Sequence, residues 1–545
     1  DVDLSKVDSD YTYQIKEEGS AISTGVLEVI FNGRSITPKS ADSNGNVTFD
    51  KTLLSANLGE NKLVLITSDK RYTVNMTFAT MIISDSDDFK KIKTEYYKGS
   101  ATTAVSQLRD GYFILDADIN FNNEVFMMFD NAALDNGSGG TWDKWNNAAM
   151  PYYGWSGVLD GRGYTVYNVK TGNGGMFGHI SQFGTIKNLG VRCVEITSRV
   201  SGVLANRSKG LIDNCFVELT AMPNQQQIGV IVRYLNYGGK ISNSMAVLLT
   251  ADTTNHAGTH GAIIQQANNA SYSVLDNVYA VRAGTNPAVV TTQLNGSAST
   301  SSYGAFDSFE DMIAAVSTHT GVQGADSAIA ASSFDGFDAK LWTKTANTVA
   351  WTKCYSSLAA EITAKAAMLS GTYYQGEGLD TVLGTDKKII VTASSYTNVD
   401  EAALANGILK VKNLAEGESA AVTLTFTSFY DNSLTATSAS ITLYCKAIEK
   451  LESKDIDLSL LSDSVDFSYM INDSANSPSS VNSVKVNGTT SITFNSSGAT
   501  FSLKKSVLEG LLGEGNSLVI DTDTAIYTLP IVVASLIISD DTDFM

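Results

Sequence analysis

Proline is scarce in this chain of 545 residues: there are six, against 44 glycines. That imbalance excludes Pro-rich rods and linkers and leaves the turns to glycine and asparagine. Cysteine is scarce as well. Cys193, Cys215, Cys354 and Cys445 are the only four, and none forms a CxxC pair, which excludes a disulfide-stapled scaffold and a zinc ribbon. Cys354 and Cys445 bracket a candidate domain, so a bond between them is one reading, with buried free thiols the favoured other. Charged residues make up only 17%, and their balance is acidic, at a formal −19. Such a surface repels phosphate backbones and anionic headgroups, so nucleic acid is not an expected partner. No apolar run reaches the ~18–20 residues needed to cross a bilayer. The chain opens DVDLSKVDSDYTY, already in strand-like alternation, with neither an initiating Met nor a signal peptide; it reads as a piece of something longer.

What is abundant is Ser, Thr, Asn and Val, in short β-branched runs separated by turn residues. This is the texture of an all-β chain, and its length predicts about three to five domains. Two stretches 454 to 455 residues apart repeat each other. DVDLSKVDSDYTYQI from Asp1 pairs with DIDLSLLSDSVDFSYMI from Asp455, and VIFNGRSIT from Val29 with VKVNGTTSIT from Val484. LGENKLVLITSDKRYTV from Leu58 pairs with LGEGNSLVIDTDTAIYTL from Leu512. Residues 1–84 and 455–539 are therefore two copies of one module, the second within a domain over 450–539. Alternating strands and an Asn-Gly turn in about 85 residues predict an Ig-like β-sandwich in architecture, without a tyrosine corner or a Cys…Trp…Cys pattern. A third segment, 356–449, holds KKIIVTAS, GILKVKN, AAVTLTFTS and SASITLYCK between polar turns, and reads as a further Ig-like sandwich. GILKVKN followed by AEGESAAVTLTF resembles the ending of bacterial Ig-like modules in surface proteins.

Residues 85–355 carry a different repeat. An apolar residue precedes an Asn by two positions at Val166–Asn168, Ile186–Asn188, Ile212–Asn214, Ile241–Asn243 and Leu275–Asn277. In phase with it run Gly175-Met-Phe, Gly202-Val-Leu, Gly229-Val-Ile and Gly261-Ala-Ile. Two interleaved series with a period of 20 to 34 residues predict a parallel β-helix, whose stacked apolar residues form the core. Asn or Gly at each corner tolerates left-handed backbone angles, and stacked Asn amides bond along the ladder. An α/β fold would need amphipathic helices between the strands, and the sequence offers none.

GMFGHISQFGTIKNLGVRCVEI and GVLANRSKGLIDNCFVEL resemble the GLUG-type right-handed β-helix repeats of large bacterial surface proteins of Gram-positive type. DGYFILDADI at 110–119 and GVLDGRGYTVYNV at 157–169 are similar to the opening rungs of that pattern. Tyr303 to Tyr355 resembles the segment that follows the last coil, with DSFEDMIAAVS as a short capping helix. The resemblance covers about 110–355 and implies an extracellular, cell-wall-associated protein of structural or adhesive character, with no catalytic residues to carry over.

Chemistry intrinsic to the residues is sparse. The polygalacturonase pattern needs GHG and RIK, and both are missing; a pectate lyase needs clustered carboxylates for Ca²⁺ and a base. The coils offer scattered charges instead: Arg192, Glu195, Arg207, Asp213, Glu218 and Arg233. His256 and His260 are four apart in a glycine-bearing loop, which does not present them on one face as a helix would. Two features remain. Trp142, Trp145, Tyr152, Tyr153 and Trp155 form an aromatic cluster, read either as a sugar-stacking surface or, preferentially, as a plug over the open end of the β-helix. Asp85, Asp87 and Asp88, and again Asp540, Asp541 and Asp543, form acidic runs at the module ends, read as Ca²⁺ ligands or as solvated linkers. MIISDSDDF from Met81 and LIISDDTDF from Leu536 agree at six of nine positions. The same joint then stands at both places, with 540–545 as the start of a following module in an array repeating every 455 residues or so.

The expected protein is a non-catalytic surface stalk or adhesin, with glycan, another surface protein or a further copy of itself as partner. A carbohydrate-active β-helix enzyme and a self-assembling surface filament are the alternatives.

Overall fold

A computed structural model of the chain describes residues 1–96, 111–128, 154–198, 200–221, 227–236, 238–249, 261–268, 273–282, 302–318, 320, 322, 334–376, 380–384, 388–462, 465–487 and 490–537. Among the described residues strands make up 50% and helices 14%, so the fold there is dominated by β structure, as the turn-punctuated sequence requires. The chain divides into two compact units, Asp1–Ser356 and Ser357–Met545.

In the first unit, residues 1–79 form two packed sheets and the short hairpin Lys16–Glu17 with Ser20–Ala21. One is ordered Val2–Asp3, Arg71–Ala79, Gly59–Thr67, Val26–Phe31, Arg34–Ile36; the other is Asp10–Gln14, Asn46–Asp50, Ser40–Ala41. Alternation decides what lies between them: Val29, Phe31, Leu63, Leu65 and Phe78 from one sheet meet Val47 and Phe49 from the other in a core of their own. Asn32 opens the tight turn at φ +48° and Gly33 follows at +81°, the left-handed pair that the Asn-Gly signal predicts.

From Met81 the pairing becomes parallel, and the chain passes repeatedly through three long ladders and a short one that joins Val200–Gly202 to Gln227–Gly229. The first aligns Phe113, Leu159, Ile186, Ile212, Ile241 and Leu275, all fully buried. A second aligns Ile119, Val166, Val191, Val217, Ala246, Ala280 and Ala305. The third aligns Ile180, Ser208, Leu235 and Ala267. Each buried Ile or Leu of such a stack contributes about 1.5–3 kcal/mol by burial, before entropy is set against it.

Asn188, Asn214, Asn243 and Asn277 stand at one corner with φ between 45° and 59°. Their amides do bond from coil to coil: Asn214 Nδ2 donates to Asn188 Oδ1 at 2.8 Å and Asn277 Nδ2 to Asn243 Oδ1 at 3.0 Å. The glycine series sits where coils nearly touch; a Cβ on Gly175 would lie 2.5 Å from the Gly202 carbonyl oxygen, and one on Gly229 2.6 Å from the Gln265 amide nitrogen. One member of the expected series is misplaced. Val166–Asn168 belongs to the second ladder, where Val166 faces Val191, and Leu159–Gly161 occupies the slot before Ile186–Asn188. Asn168 shares the left-handed angle, at +52°, so spacing and residue type alone cannot separate the two corners.

The last coil strand, Ser302–Phe306, leads into the expected helix, Phe309–Thr318, whose Phe309, Met312 and Val316 are buried. The hairpin Trp342–Lys344 with Val349–Trp351 then lies along the coils rather than beyond them. Trp342 Nε1 donates to Asn214 Oδ1 at 2.6 Å and Trp351 Nε1 to Thr165 Oγ1 at 3.1 Å. Because the indole occupies that amide oxygen, Asn243 Nδ2 turns to Asp213 Oδ1, at 3.1 Å.

In the second unit the stretch expected to open a sandwich at 356 is helical, Thr352–Met368, and strands begin at Thr372. The run AAVTLTFTS divides at Thr423. Ser419–Val422 joins Thr372–Gln375 and Ile441–Cys445, while Leu424–Ser428 joins Ile389–Ala393 and Thr435–Thr437. Residues 454–534 then rebuild the two packed sheets of the first module, from Lys454–Asp457 beside Ala525–Ala534 to the Asn487 turn, around Val484, Phe501, Leu503, Leu518, Ile520 and Tyr527.

Candidate functional site

Of the aromatic cluster, Trp142, Trp145, Tyr152 and Tyr153 lie outside the described residues. Trp155 is fully buried. Its ring packs 5.4 Å from Phe113 and 5.3 Å from Phe177, and its backbone bridges to His179 O and Ser181 N. A ring enclosed on this scale offers no face to a sugar, so Trp155 is a core residue of the opening coil. The interval from Phe113 to its ladder partner Leu159 is 46 residues, against 27 from Leu159 to Ile186, because the aromatic insertion falls within it. Phe89 and Ile92, both fully buried, seat on this end of the core, Phe89 lying 5.8 Å from Phe121 and from Phe126.

The first acidic run caps a helix. Asp85 Oδ1 accepts the amides of Asp87 and Asp88 at 2.9 Å, at the start of Ser86–Lys91. Asp88 accepts the Ser84 amide at 2.9 Å and pairs with Lys91 at 2.8 Å, and Asp87 pairs with Lys90 at 3.2 Å. Burial opposes ionisation of Asp88, but Lys91 and the Ser84 amide outweigh it and hold the carboxyl below its usual range. These three carboxylates point to separate partners rather than to one centre. Among the described residues no group of three or more His, Cys, Asp or Glu is placed to hold a metal ion. Asp540, Asp541 and Asp543, like His256 and His260, lie outside the described residues.

Stacking assembles what looked like scattered charge. Lys170 meets Glu195 at 3.1 Å, Arg192 meets Glu218 at 3.1 Å and Lys187 meets Asp160 at 3.2 Å, each pair spanning adjacent coils. On the third ladder His179, Arg207, Tyr234 and Gln266 stand in register. The Arg233 guanidinium packs 4.3 Å from the Tyr234 ring centre and that of Arg207 5.6 Å. Arg233 donates to Tyr234 Oη at 2.8 Å, to Asn206 Oδ1 at 3.4 Å and to Gln227. Burial, then the charges of Arg207 and Lys209, pushes the His179 imidazole well below its ordinary value, so it stays neutral. Nothing in the linear sequence marks this line, since its members are 27 or more residues apart. All four cysteines are buried thiols outside any disulfide; burial pushes Cys193 and Cys215 up to about 12, away from thiolate chemistry.

The most elaborate constellation is the joint between the first module and the coils. Met81–Ile83 leaves the module and pairs in parallel with Tyr112–Leu115, becoming a strand of the first ladder. Thr80 and Tyr112 bond through backbone and hydroxyl, at 2.7 and 3.0 Å. Ala79, Tyr112 and Ile114 form a small core with Leu58, Ile82 and Val158. Arg162, held at φ +50° by the turn after Val158–Asp160, forks onto the Asp1 carboxylate at 2.6 and 2.8 Å and reaches Thr77 Oγ1 at 3.0 Å. Such bidentate geometry fixes direction as well as distance. The arrangement transmits position and holds no reacting group.

No protein-family model matches the sequence, and no curated protein matches it. Among the described residues no helix is long and apolar enough to cross a membrane.

Proposed function

We propose that the protein is a non-catalytic display element of a bacterial cell surface, in which a right-handed parallel β-helix is carried on Ig-like sandwich modules. In this reading 1–84, the strands from Thr372 to Cys445 and 450–539 form the sandwiches, and the repeated module is a spacer in a tandem array. One observation carries it: the strand Met81–Ile83 belongs to the module's chain and to the first parallel ladder at once, and the Asp1–Arg162 clamp closes the same joint. A continuous strand with a bidentate clamp suits a stalk that must hold its load at a fixed orientation. The coils suit display, since each cross-coil charge pair adds stiffness to a surface whose composition is free to vary. The partner class is a glycan or a surface protein.

The test is single-molecule distance measurement between dyes on Lys16 and Lys240. A narrow distribution, broadened by Arg162→Ala, is expected; a broad distribution in the native chain sinks the stalk. Release of reducing ends or unsaturated sugars from polyuronates would replace this reading with the lyase or hydrolase alternative.

A further inference from the structure

The two module copies differ most at the end from which the coils depart. In the first copy Gly59 and Ala79 are buried under the opening coil, with Leu58 half-buried beside them, and Met81 is 4% exposed. A Cβ on Gly59 would meet the Tyr112 ring at 3.5 Å. Their counterparts in the second copy are Leu512, Gly513, Ala534 and Leu536, aligned by the matching registers Val2 to Phe78 and Ile456 to Val533. Leu512 is 53% and Leu536 49% exposed, and nothing lies within 4 Å of a Cβ on Gly513. Asp455, the counterpart of the Asp1 that Arg162 grips, is exposed.

We propose that this end of the second module, formed by Leu512, Gly513, Ala534, Leu536 and Asp455, is a docking surface for the opening coil of another parallel-strand domain, one that presents strands like Tyr112–Leu115 and Val158–Asp160 with an arginine like Arg162. The occupant follows from the first joint, where the same positions of the same module are covered by Tyr112, Ile114 and Val158 and clamped by Arg162. Apolar area is matched to apolar area, and the Asp455 carboxylate stands where that of Asp1 accepts the Arg162 guanidinium in the first copy. Two full chains do not pair this way, because each opening coil is already covered by its own first module. The inference rests on the modular reading above and names the partner of its spacer.

The probe is the chain from Thr80 onward carrying Ala534→Arg, which leaves its opening coil uncovered and blocks its own docking end, mixed with the full chain, in which the further substitutions at Ala534 and Asp455 are made, and followed by light scattering. The full chain alone stays monomeric. The mixture forms a 1:1 complex that Ala534→Arg abolishes and Asp455→Arg weakens about tenfold or more; Arg162→Asp in the probe restores the loss from Asp455→Arg. A folded probe that leaves the full chain monomeric overturns the proposal, as does a complex indifferent to Ala534→Arg. Should the probe fail to fold, as circular dichroism shows, a tandem chain with Asp85–Ser356 appended after Ser539 decides. Slowed amide exchange across Ala534–Leu536 supports docking, and unchanged exchange beside a folded appended domain overturns it. Failure here leaves the stalk standing, since that depends on the first joint alone, whereas enzymatic product would remove the stalk without touching this surface.

Discussion

Residues 1–83 and 455–537 are the same module in two settings. Both begin with a strand laid parallel to the last one, followed by a one-turn helix capped by Asp3 or Asp457. Both turn at an Asn with φ near 48°. They are fastened at opposite ends. The first copy is held at its exit, through Met81–Ile83 and Arg162. The second is held at its entry, where Lys446, 1% exposed, donates to Asp521 Oδ1 at 2.7 Å and to Thr522 O, beneath the Tyr374 ring. The counterpart of Asp521 in the first copy is Ile66, likewise the second-last residue of its strand. A shared fold thus leaves the choice of attachment to a few substitutions at its ends.

The comparison breaks most visibly at Ala79 and Ala534. Ala79→Arg forces an unpaired charge and excess volume against Tyr112 and Ile114, and should destabilise the first unit by about 3 kcal/mol or more. Ala534→Arg at the half-buried counterpart should change the second unit by less than ~1 kcal/mol. Urea titration of both variants checks this, and equal losses would mean that the two ends are equally covered. Next comes Lys446→Ala, which leaves Asp521 and the Thr522 carbonyl without their ammonium. It should cost the second unit about 3 kcal/mol by calorimetry and leave the transition of the first unit in place. Replacing both charges, with Lys446→Met and Asp521→Leu, should recover most of that loss, because the desolvation of two ions disappears with them.

A smaller effect sharpens the likeness instead. Asn32 Oδ1 accepts the Lys62 amide at 2.9 Å and Asn487 Oδ1 the Ser517 amide at 2.8 Å, at φ of 48° and 49°. Alanine at either site loses that bond and takes on left-handed strain, about 1–2 kcal/mol in each case. Denaturant midpoints should therefore fall by similar amounts in the two units, and a loss at only one site would show that the turns are not equivalent.

Much of this architecture was legible because local chemistry forced it. A left-handed corner selects Asn, and a close coil contact selects Gly, so both series showed in the one-dimensional pattern. Ambiguity began where two structural causes select the same residue. Asn168 and Asn188 share a dihedral and sit on different ladders, and the 46-residue first interval hid the true partner of Ile186, which is Leu159. Trp155 was read with its exposed-looking neighbours because an aromatic side chain in sequence carries no sign of which way it faces. Asp85, Asp87 and Asp88 fit a metal site and a helix cap equally well until the positions of Lys90 and Lys91 are known. The Arg207–Tyr234–Arg233 line exists only once coils are stacked, and Lys446 declares itself only by its burial.

The smallest expected effect concerns the acidic cap that the copies share. Asp457 accepts the Ser459 amide at 2.8 Å and the Ile537 amide at 3.0 Å. The hydrogen bond from Ser459 and then that from Ile537 hold its carboxyl below the usual range. In the first copy Ile82, the counterpart of Ile537, pairs instead with Ile114 in the parallel ladder. A carboxylate whose folded value is depressed stabilises above the unfolded value, about 3.9, and that contribution disappears as the pH falls through the lower folded value. The Ile537 amide resonance should therefore move in acid with a midpoint below that of an ordinary aspartate, and Asp457→Asn should abolish the movement. An Ile537 shift that stays constant from neutral pH down to the acid limit would disprove the bond. Docking of a coil on the second module should do what the ladder does to Ile82, drawing the Ile537 amide away from Asp457 and returning the carboxyl towards its ordinary value. The same titration, repeated on the complex, thus reads whether the second joint closes as the first one does.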